Sequence, residues 1–273
     1  MSVSIFIQTL NEEINLPRCL KSVDFSDDVV VLDSFSEDGT EKIARQSGTR
    51  FYQREYAGRA ANQNWAVENI DFKYPWVYYS DADEVVTPEL AKEIVEVCSN
   101  SSRPESLFRV RFKTILMDRW IRHSSMYPTW VARLFRPEKI RWERPANPVA
   151  VVDGPEGKLK EHFLHYNFSK GVDAWLDKHR KYASYEAEET VKNLEAGETD
   201  WSGLLSPDDV RRRQALKKLS FRLPLRAECK FIYMYLLRLG FLDGLPGLVY
   251  CRLQWVYERM ICRNVKQLRK YGK

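Results

Sequence analysis

Apolar runs and helical repeats alternate along the first hundred residues. Short runs rich in valine, isoleucine and aromatic residues predict strands at 3–10, 29–32, 49–53 and 76–79. Segments with apolar residues on one helical face predict helices that end near Val23, Ser47, Asn69 and Asn100. This alternation predicts an α/β fold in which helices cover both faces of a mostly parallel sheet.

The periodicity changes after residue 100. Strand-like runs lie at 107–116, 129–136 and 148–153, and residues 160–168 contain His162, His165 and a short apolar run. Helical patterns lie at 171–196, 208–218, 221–239 and 248–271, with a Gly- and Pro-containing break at 240–247 before the last of them. We therefore expect a catalytic domain over residues 1–170, with halves 1–100 and 101–170, and a helical extension over residues 171–273.

Polar loops follow three consecutive predicted strands. The loops are Thr9–Glu12, Asp33–Asp38 and Asp81–Glu84. Because the carboxyl ends of parallel strands meet at one edge of a sheet, we expect the three loops to share a ligand crevice. Their acceptor groups suit the base, ribose and diphosphate of a nucleotide.

The third loop contains a D-x-D triplet. In extended backbone, Asp81 and Asp83 would point the same way, with the small Ala82 between them. Two such carboxylates suit Mg²⁺ or Mn²⁺, hard cations that also bind phosphate oxygens. The triplet alone is more typical of a solvated surface loop, and its position beside the other two loops favours the functional interpretation.

Charge is distributed unevenly. Residues 211–273 hold sixteen Lys/Arg and three Asp/Glu, a net charge of +13, whereas the rest of the chain has a net charge of −8. In the last 55 residues, large apolar side chains alternate with arginines, a composition typical of helices that lie on an anionic membrane surface. The alternative is that these helices only pack on the catalytic domain. The segment is too apolar for a nucleic-acid surface, so no nucleic acid is expected.

The remaining composition favours a reduced compartment. The first residues predict a strand and not a signal peptide, and no run reaches the roughly 18 apolar residues of a spanning helix. The five cysteines are scattered and form no CxxC pair, which favours free thiols. We therefore expect a cytoplasmic protein that is peripheral on the inner face of the cytoplasmic membrane.

Together the motifs resemble those of inverting family 2 glycosyltransferases of the GT-A fold. The resemblance is to the bacterial lipopolysaccharide core glucosyltransferase branch, the WaaE/KdtX-like group. The segments that carry it are Thr9-Leu-Asn-Glu-Glu13, Leu32-Asp-Ser-Phe-Ser-Glu-Asp-Gly-Thr40, Gly58 with Gln63-Asn-Trp-Ala66, and Asp81-Ala-Asp-Glu84. Leu164-His-Tyr166 and Gly240-Phe-Leu-Asp-Gly244 resemble that branch more loosely.

The resemblance implies roles for these residues. The positions implied to contact the nucleotide or donor sugar, or to shape its second loop, are Thr9, Asn11, Glu12, Asp33 (uracil), Ser36, Asp38, Gly39, Asn64, Asp81 and Ala82. Asp83 is implied to hold Mg²⁺ or Mn²⁺, which neutralises the nucleoside diphosphate leaving group. The structural alternatives are that Thr9 and Ser36 only cap helices and that Asn64 is a helix surface residue.

Inverting transfer also requires a base for the acceptor hydroxyl. Related enzymes supply a carboxylate, often in a Val-His-Glu context, which the corresponding stretch 140–149 lacks. Glu143 is the nearest carboxylate and our candidate, and its alternative role is a surface salt bridge with Arg141 or Arg144. Glu161 and Asp118 are the next candidates.

Several other residues lie near these motifs. His165 is a candidate metal ligand and His162 a second histidine that could reach the site, although histidines beside aromatic residues are more often packed in the core. Arg133 or Arg136 could face a phosphate. The tryptophans that could stack on sugars or fill the core are Trp120, Trp130 and Trp142.

The expected activity is metal-dependent transfer of a sugar with inversion. The expected partners are a UDP-sugar donor, a glycolipid or lipid-linked acceptor, and an anionic membrane surface. Three alternatives remain open: a polyprenyl-phosphate glycosyltransferase, a catalytically silent nucleotide-binding membrane protein, and a nucleotidyltransferase, because similar carboxylates serve both kinds of transfer.

Overall fold

The structure is a computed structural model that describes residues 3–143, 148–195, 201–206, 212, 215–216 and 219–271. The chain forms two compact units. The first comprises residues 1–120 and 126–170, and the second comprises residues 121–125 and 171–273. The short segment 121–125 therefore belongs to the second unit, although it lies within the predicted catalytic domain.

The first unit is built from a sheet and its flanking helices. The strands within the described residues are β1 Ser4–Thr9, β2 Val29–Asp33, β3 Arg50–Gln53, β4 Val77–Asp81, β5 Glu84–Val86, β6 Leu107–Leu116, β7 Arg119–Trp120, β8 Trp130–Phe135, β9 Ile140–Glu143, β10 Val149–Val152 and β11 Glu156–His165. The helices are α1 Leu16–Ser22, α2 Thr40–Gln46, α3 Arg59–Asn69 and α4 Pro88–Ser99.

The main sheet has the strand order β3-β2-β1-β4-β8-β6-β11-β5, with β7 paired to β6. Strands β1 to β4 are mutually parallel, and β11 is parallel to β6. Strands β8 and β5 run antiparallel to their neighbours. The mixed α/β fold with a mostly parallel sheet is therefore confirmed, and β9 and β10 form a separate hairpin.

Alternate residues of the central strands face opposite layers of the core. Ile5 and Ile7 pack in one cluster with α1 and α4, whereas Phe6 packs in the other cluster with Ala60 and Ala66 of α3. Because both faces of β1 are covered, its central residues Ile5, Phe6 and Ile7 form a continuous apolar run. Helices therefore flank both faces of the sheet, as the alternating pattern predicts.

The second unit is helical. Within the described residues it contains α5 Gly171–Glu195, α6 Trp201–Leu204, α7 Arg226–Ile232, a π-helical turn Tyr233–Leu237, a 3-10 turn Gly240–Asp243 and α8 Gly244–Tyr271. The carboxylate of buried Glu258 on α8 forms ion pairs with Arg226 (N–O distance 2.9 Å) and Lys230 (2.7 Å). These ion pairs hold α7 against α8. The predicted basic helix 208–218 lies largely outside the described residues.

The prediction that the last helix starts at Leu248 is wrong. Helix α8 begins at Gly244 and includes Pro246 in its first turn, where the N–H that proline lacks has no partner within the helix. Among the described helices, none is long and apolar enough to cross a membrane by itself. The pair Arg226–Leu237 and Gly240–Tyr271, bent by 70°, meets the length and composition criteria together.

Candidate functional site

The three polar loops emerge from adjacent parallel strands. Thr9 at the end of β1 is in register with Asp33 on β2, and Gln8 is in register with Asp81 on β4. The ends of these strands therefore lie side by side at the carboxyl edge of the sheet. In open α/β sheets this edge is where ligands bind.

Asp33 lies at the base of the first two loops. Its side chain is fully buried, and it accepts hydrogen bonds from the Thr9 hydroxyl at 2.8 Å and the Ser36 amide at 2.8 Å. The Ser36 hydroxyl donates a further bond at 2.5 Å. Asp33 thus orders the second loop, and Thr9 and Ser36 bind a carboxylate and do not cap a helix.

Asn11 joins the first loop to the second. Its amide N–H donates to the Ser36 hydroxyl at 2.8 Å, and its side-chain oxygen accepts from the Glu37 amide at 2.8 Å. The backbone of Asn11 is left-handed, with φ of 56°, which asparagine tolerates better than most residues. The asparagine therefore serves both the turn and the contact between the loops.

The acidic residues of the first loop reach the start of α2. The Glu12 amide donates to the Thr40 hydroxyl at 2.7 Å, and the Glu13 carboxylate accepts from the Gly39 amide at 2.8 Å. A side chain at Gly39 would crowd that carboxylate oxygen. Burial would raise the pKa of Asp38, but hydrogen bonds from Thr40 and the Glu13 amide hold it below its usual value. The two loops therefore form one hydrogen-bonded rim.

The carboxylate of Asp81 is neutralised within the protein. Its Oδ2 lies 2.6 Å from Arg59 Nη2 and 2.9 Å from Arg133 Nη2, and its Oδ1 accepts the Tyr79 hydroxyl. Burial alone would raise the pKa of Asp81, but the two guanidinium groups hold it well below its usual range. Asp81 is therefore a partly buried, charged partner of two arginines.

The prediction of extended backbone through the D-x-D triplet is wrong. Strand β4 ends at Asp81, Ala82 and Asp83 form a turn, and β5 begins at Glu84. Asp81 faces the arginines, whereas an oxygen of Asp83 lies 3.4 Å from Nε2 of His165. The turn therefore gives the two aspartates different partners.

Asp83 and His165 form the part of the site that could hold a metal. The side chains retain 18% and 22% of their exposure, respectively. Burial would lower the pKa of His165, but the charge and hydrogen bond of Asp83, together with the charges of Glu84 and Asp81, raise the pKa above the ordinary value. Asp83 supplies the carboxylate that Mg²⁺ or Mn²⁺ prefers, and Nε2 of His165 lies 3.4 Å from that carboxylate.

Asp83 and His165 are two candidate ligands for a divalent cation. Among the residues that the structure describes, no group of three or more His, Cys, Asp or Glu side chains is placed to hold a metal ion. Mg²⁺ characteristically takes one or two carboxylates and completes its coordination with substrate phosphates and water. The donor set therefore fits a cation that binds together with a diphosphate.

Asn64 connects the first unit's hairpin to α3. Its side-chain nitrogen donates to the Trp142 carbonyl at 2.9 Å, and its oxygen accepts from the Trp142 amide at 2.8 Å. The next residue, Glu143, is exposed and forms an ion pair with Arg141 at 3.1 Å. Asn64 is thus more than a helix surface residue, and it fixes the backbone that carries Glu143.

The other candidates lie apart from this cluster. Asp118 occupies the exposed turn between β6 and β7, and Glu161 lies on β11 with its carboxylate 3.9 Å from His162. Trp142 packs edge-on against Phe135 in the core. Trp120 packs against Tyr127, Trp130 lies below the cations of Arg111 and Lys158, and Arg136 lies over Trp76.

The sequence matches the model of a known protein family. The model of glycosyl transferase family 2 matches residues 4–154, more than half of the sequence. The chain belongs to glycosyl transferase family 2. The matched region contains every loop of the candidate site except the segment around His165.

Individual relatives of this family 2 glycosyltransferase agree with that assignment. The lipopolysaccharide core biosynthesis glycosyltransferase LpsC of Rhizobium meliloti is 26% identical over 200 residues, covering 71% of this chain and 73% of the relative. An uncharacterized glycosyltransferase of Rickettsia conorii is 25% identical over 260 residues, covering 90% and 83%. The mannosyltransferase PcManGT of Pyrobaculum calidifontis, solved with GDP-Man and Mn²⁺, superposes with a TM-score of 0.52 at 14% identity, covering 97% and 86%. The last likeness confirms the GT-A fold.

Three cations of this family 2 site were missed by sequence reasoning or assigned differently. Arg59 and Arg133 neutralise Asp81, and Lys170 lies 2.5 Å from the Glu12 carboxylate. Burial raises the pKa of Glu12, to which the charge of Asp83 also contributes, while Lys170 lowers it. Arg133 is buried against carboxylates and is not available to a phosphate. The sequence around Arg59, Arg133 and Lys170 does not indicate that Asp81 and Glu12 are their partners.

Proposed function

We propose that this chain is an inverting glycosyltransferase that moves a sugar from a UDP-linked donor to a membrane-bound glycolipid in lipopolysaccharide or other envelope polysaccharide synthesis. The observation that carries the proposal is the register of Thr9, Asp33 and Asp81 at one sheet edge, with Asp83 beside it. The family and the lipopolysaccharide core relative support it. The WaaE/KdtX-like branch is the finer assignment we favour within the family.

The donor would bind across the hydrogen-bonded rim. Asp33, Thr9 and Asn11 are proposed to contact the base and ribose, and Ser36 and Asp38 to keep the second loop in shape. Glu12 lies at the same rim with its carboxylate paired to Lys170. The lysine ammonium adds a positive charge beside the loops, where a diphosphate would need one.

Asp83 and His165 are proposed to hold Mg²⁺ or Mn²⁺ with the diphosphate. When bound, the cation neutralises charge on the leaving nucleoside diphosphate. Asp81, already neutralised by two arginines, is proposed to accept a hydrogen bond from the ribose or the donor sugar. The chain itself supplies the positions of these groups through the turn at Ala82 and Asp83.

Transfer is proposed as a single displacement. The acceptor hydroxyl oxygen bonds to the anomeric carbon while the bond from that carbon to the diphosphate breaks, and the hydroxyl proton passes to Glu143. The Glu143 carboxylate is exposed, and the two hydrogen bonds between Asn64 and the Trp142 backbone position the adjacent backbone of Glu143. A proton acceptor placed this way accelerates transfer by about 10²- to 10⁴-fold in other enzymes.

Glu143→Gln is therefore expected to lower transfer about a hundredfold and to leave nucleotide binding unchanged. The measurement is sugar transfer to extracted glycolipid acceptor together with UDP binding by calorimetry. Glu138→Gln, in the exposed turn Pro137–Lys139, is the matched control and should transfer normally. Full transfer by Glu143→Gln would assign the base to another carboxylate.

A nucleotide screen tests the donor proposal. UDP with Mn²⁺ should raise the melting temperature by several degrees, because a ligand at a hundred times its Kd adds about 2.7 kcal/mol to the free energy of unfolding. GDP, CDP and ADP serve as controls and should shift it less. Melting that no nucleotide shifts, with Mn²⁺ present, would contradict the proposal.

Membrane contact by residues 171–273 is a further part of the proposal. It rests on the net charge of +13 over residues 211–273 and places the enzyme on the inner face of the cytoplasmic membrane. There it would meet a lipid-linked acceptor. A polyprenyl-phosphate acceptor remains an outcome of the transfer assay, which should be run with both kinds of lipid.

A further inference from the structure

Exposed apolar side chains concentrate in one short part of the second unit. Of the 25 large apolar side chains exposed in the described residues, ten lie between Leu223 and Leu245. Six of these belong to residues 236–245, which we term the bend segment: Leu236, Leu237, Leu239, Phe241, Leu242 and Leu245. Leu237 is 71% exposed and Leu245 65%. Such a concentration marks an interaction surface.

The bend segment forms an ordered turn between α7 and α8. Leu239 has left-handed backbone, with φ of 59°, and the chain turns by 70° between the two helical pieces. The Leu239 amide donates to Leu236 at 3.1 Å, and the Leu242 amide donates to Leu239 at 2.9 Å. Both amides have hydrogen-bond acceptors within the turn, so placing them in an apolar environment leaves neither without a hydrogen bond.

The one acidic side chain of the bend segment points into the protein. Asp243 is buried and accepts hydrogen bonds from the amides of Arg122, His123 and Ser124 and from the Ser124 hydroxyl, at 2.7 to 3.2 Å. The sequence has no other Asp or Glu between residues 229 and 257. The outer surface of the bend segment is therefore apolar and free of carboxylates.

Basic residues flank the bend segment. Residues 219–271 contain ten Lys/Arg and three Asp/Glu, a net charge of +7. Arg222 before the bend segment and Arg252 after it are exposed. An apolar tip between positive flanks matches the interface of an anionic bilayer, where acyl chains lie below negative headgroups. A second copy of this chain would bring like charges together, which disfavours self-association.

We propose that the bend segment inserts into the headgroup region of an anionic membrane and holds the enzyme there. The occupant of the apolar surface is therefore lipid. The proposal deepens the proposed function, because a membrane-bound acceptor requires an enzyme at the bilayer surface. This proposal assigns membrane contact to the bend segment in addition to the basic helices.

The test is vesicle sedimentation with the full chain. L237E/L242E should bind phosphatidylcholine vesicles containing 30% phosphatidylglycerol at least about tenfold more weakly than the wild type, because two carboxylates replace inserted leucines. V172E/L205E makes the same charge change at two other exposed apolar positions of the second unit and should change binding less than about twofold. If glutamates alter melting, L237S/L245S gives the same measurement without added charge.

Three results would overturn the proposal. One is equal loss in both glutamate pairs, which would mean that only net charge matters. Another is normal vesicle binding by L237E/L242E. The third is a wild-type dimer that light scattering shows to be dispersed in L237E/L242E, which would make the surface a contact between two copies.

UDP stabilisation, measured on the same variants, separates this proposal from the proposed function. We expect UDP to raise the melting temperature of L237E/L242E as it does that of the wild type, and we expect this variant to bind vesicles more weakly. A chain that binds vesicles through the bend segment but shows no UDP shift would retain this proposal and contradict the proposed donor.

Discussion

Asp83→Ala is expected to lower sugar transfer about a thousandfold or more, with the protein still folded. Asp83 is the carboxylate paired with His165, and Asp81 is held by Arg59 and Arg133 instead. Without Asp83, a cation keeps one protein ligand, and the charge on the leaving diphosphate is left less neutralised. The side chain is partly exposed, so its removal should change the melting temperature by only a few degrees.

The measurements for Asp83→Ala are sugar transfer in the presence of Mn²⁺ and the slow hydrolysis of the UDP-sugar, which requires no acceptor. Glu89→Ala, at an exposed position in the first turn of α4, is the matched control and should hydrolyse the donor normally. Calorimetric titration should also show weaker Mn²⁺ binding in the presence of UDP. Wild-type hydrolysis by Asp83→Ala would remove this carboxylate from the site.

The N-terminal half of the fold was predictable because its signals are local. Buried parallel strands such as β1 and β2 each contain a continuous apolar run, residues 5–7 and 29–32, and polar residues follow each run. The positions of Thr9 and Asp33 after these runs therefore predict where the strands end at the edge of the sheet. Thr87 and Pro88 likewise announce the start of α4, where the Thr87 hydroxyl accepts from the Leu90 amide.

The turn at Ala82 and Asp83 could not be predicted in the same way. The following Glu-Val-Val continues a strand-like pattern, and the chain turns because β5 pairs antiparallel with β11, which lies some eighty residues later. Arg133 reaches Asp81 from β8, which is 52 residues away in the sequence. Pairings of this kind form only when the whole sheet is assembled, so they cannot be predicted from local sequence patterns.

The end of the chain shows a related limit. Gly240–Gly247 predicts a break, yet proline is allowed in the first turn of a helix, and α8 begins inside that stretch. A Cβ at Gly247 would overlap the carbonyl oxygen of Gly240, which explains a glycine within α8. Asp243 binds amides at 122–124, far away in sequence, so its inward direction was not visible beforehand.

Arg133→Met is expected to lower the free energy of unfolding by about 3–5 kcal/mol. Arg133 is 5% exposed, and its guanidinium donates to Glu84 at 2.5 and 3.0 Å and to Asp81 at 2.9 Å. Glu84 is 1% exposed, so the substitution leaves a buried carboxylate without its cation. Arg136→Met, which removes an arginine stacked 4.4 Å over Trp76, is the control and should cost about 1 kcal/mol or less.

The pH dependence of that loss follows from Glu84. Burial raises the pKa of Glu84 to about 7 even though Arg133 lowers it. A carboxyl with a raised pKa in the folded state binds a proton that the unfolded chain releases, so stability falls as pH rises from about 4.5. Without Arg133 the folded-state pKa rises further, and the deficit of Arg133→Met should be larger at pH 8 than at pH 6.

Replacing Glu84 as well separates charge from packing. In Arg133→Met/Glu84→Gln, no carboxylate is left unpaired at position 84, and much of the lost stability should return at pH 8. Urea unfolding of the wild type, Arg133→Met, Glu84→Gln and the double variant gives the coupling free energy directly. If Arg133→Met matched Arg136→Met at both pH values, the arginine would contribute only packing, and the buried charge cluster at the end of β4 would need another explanation.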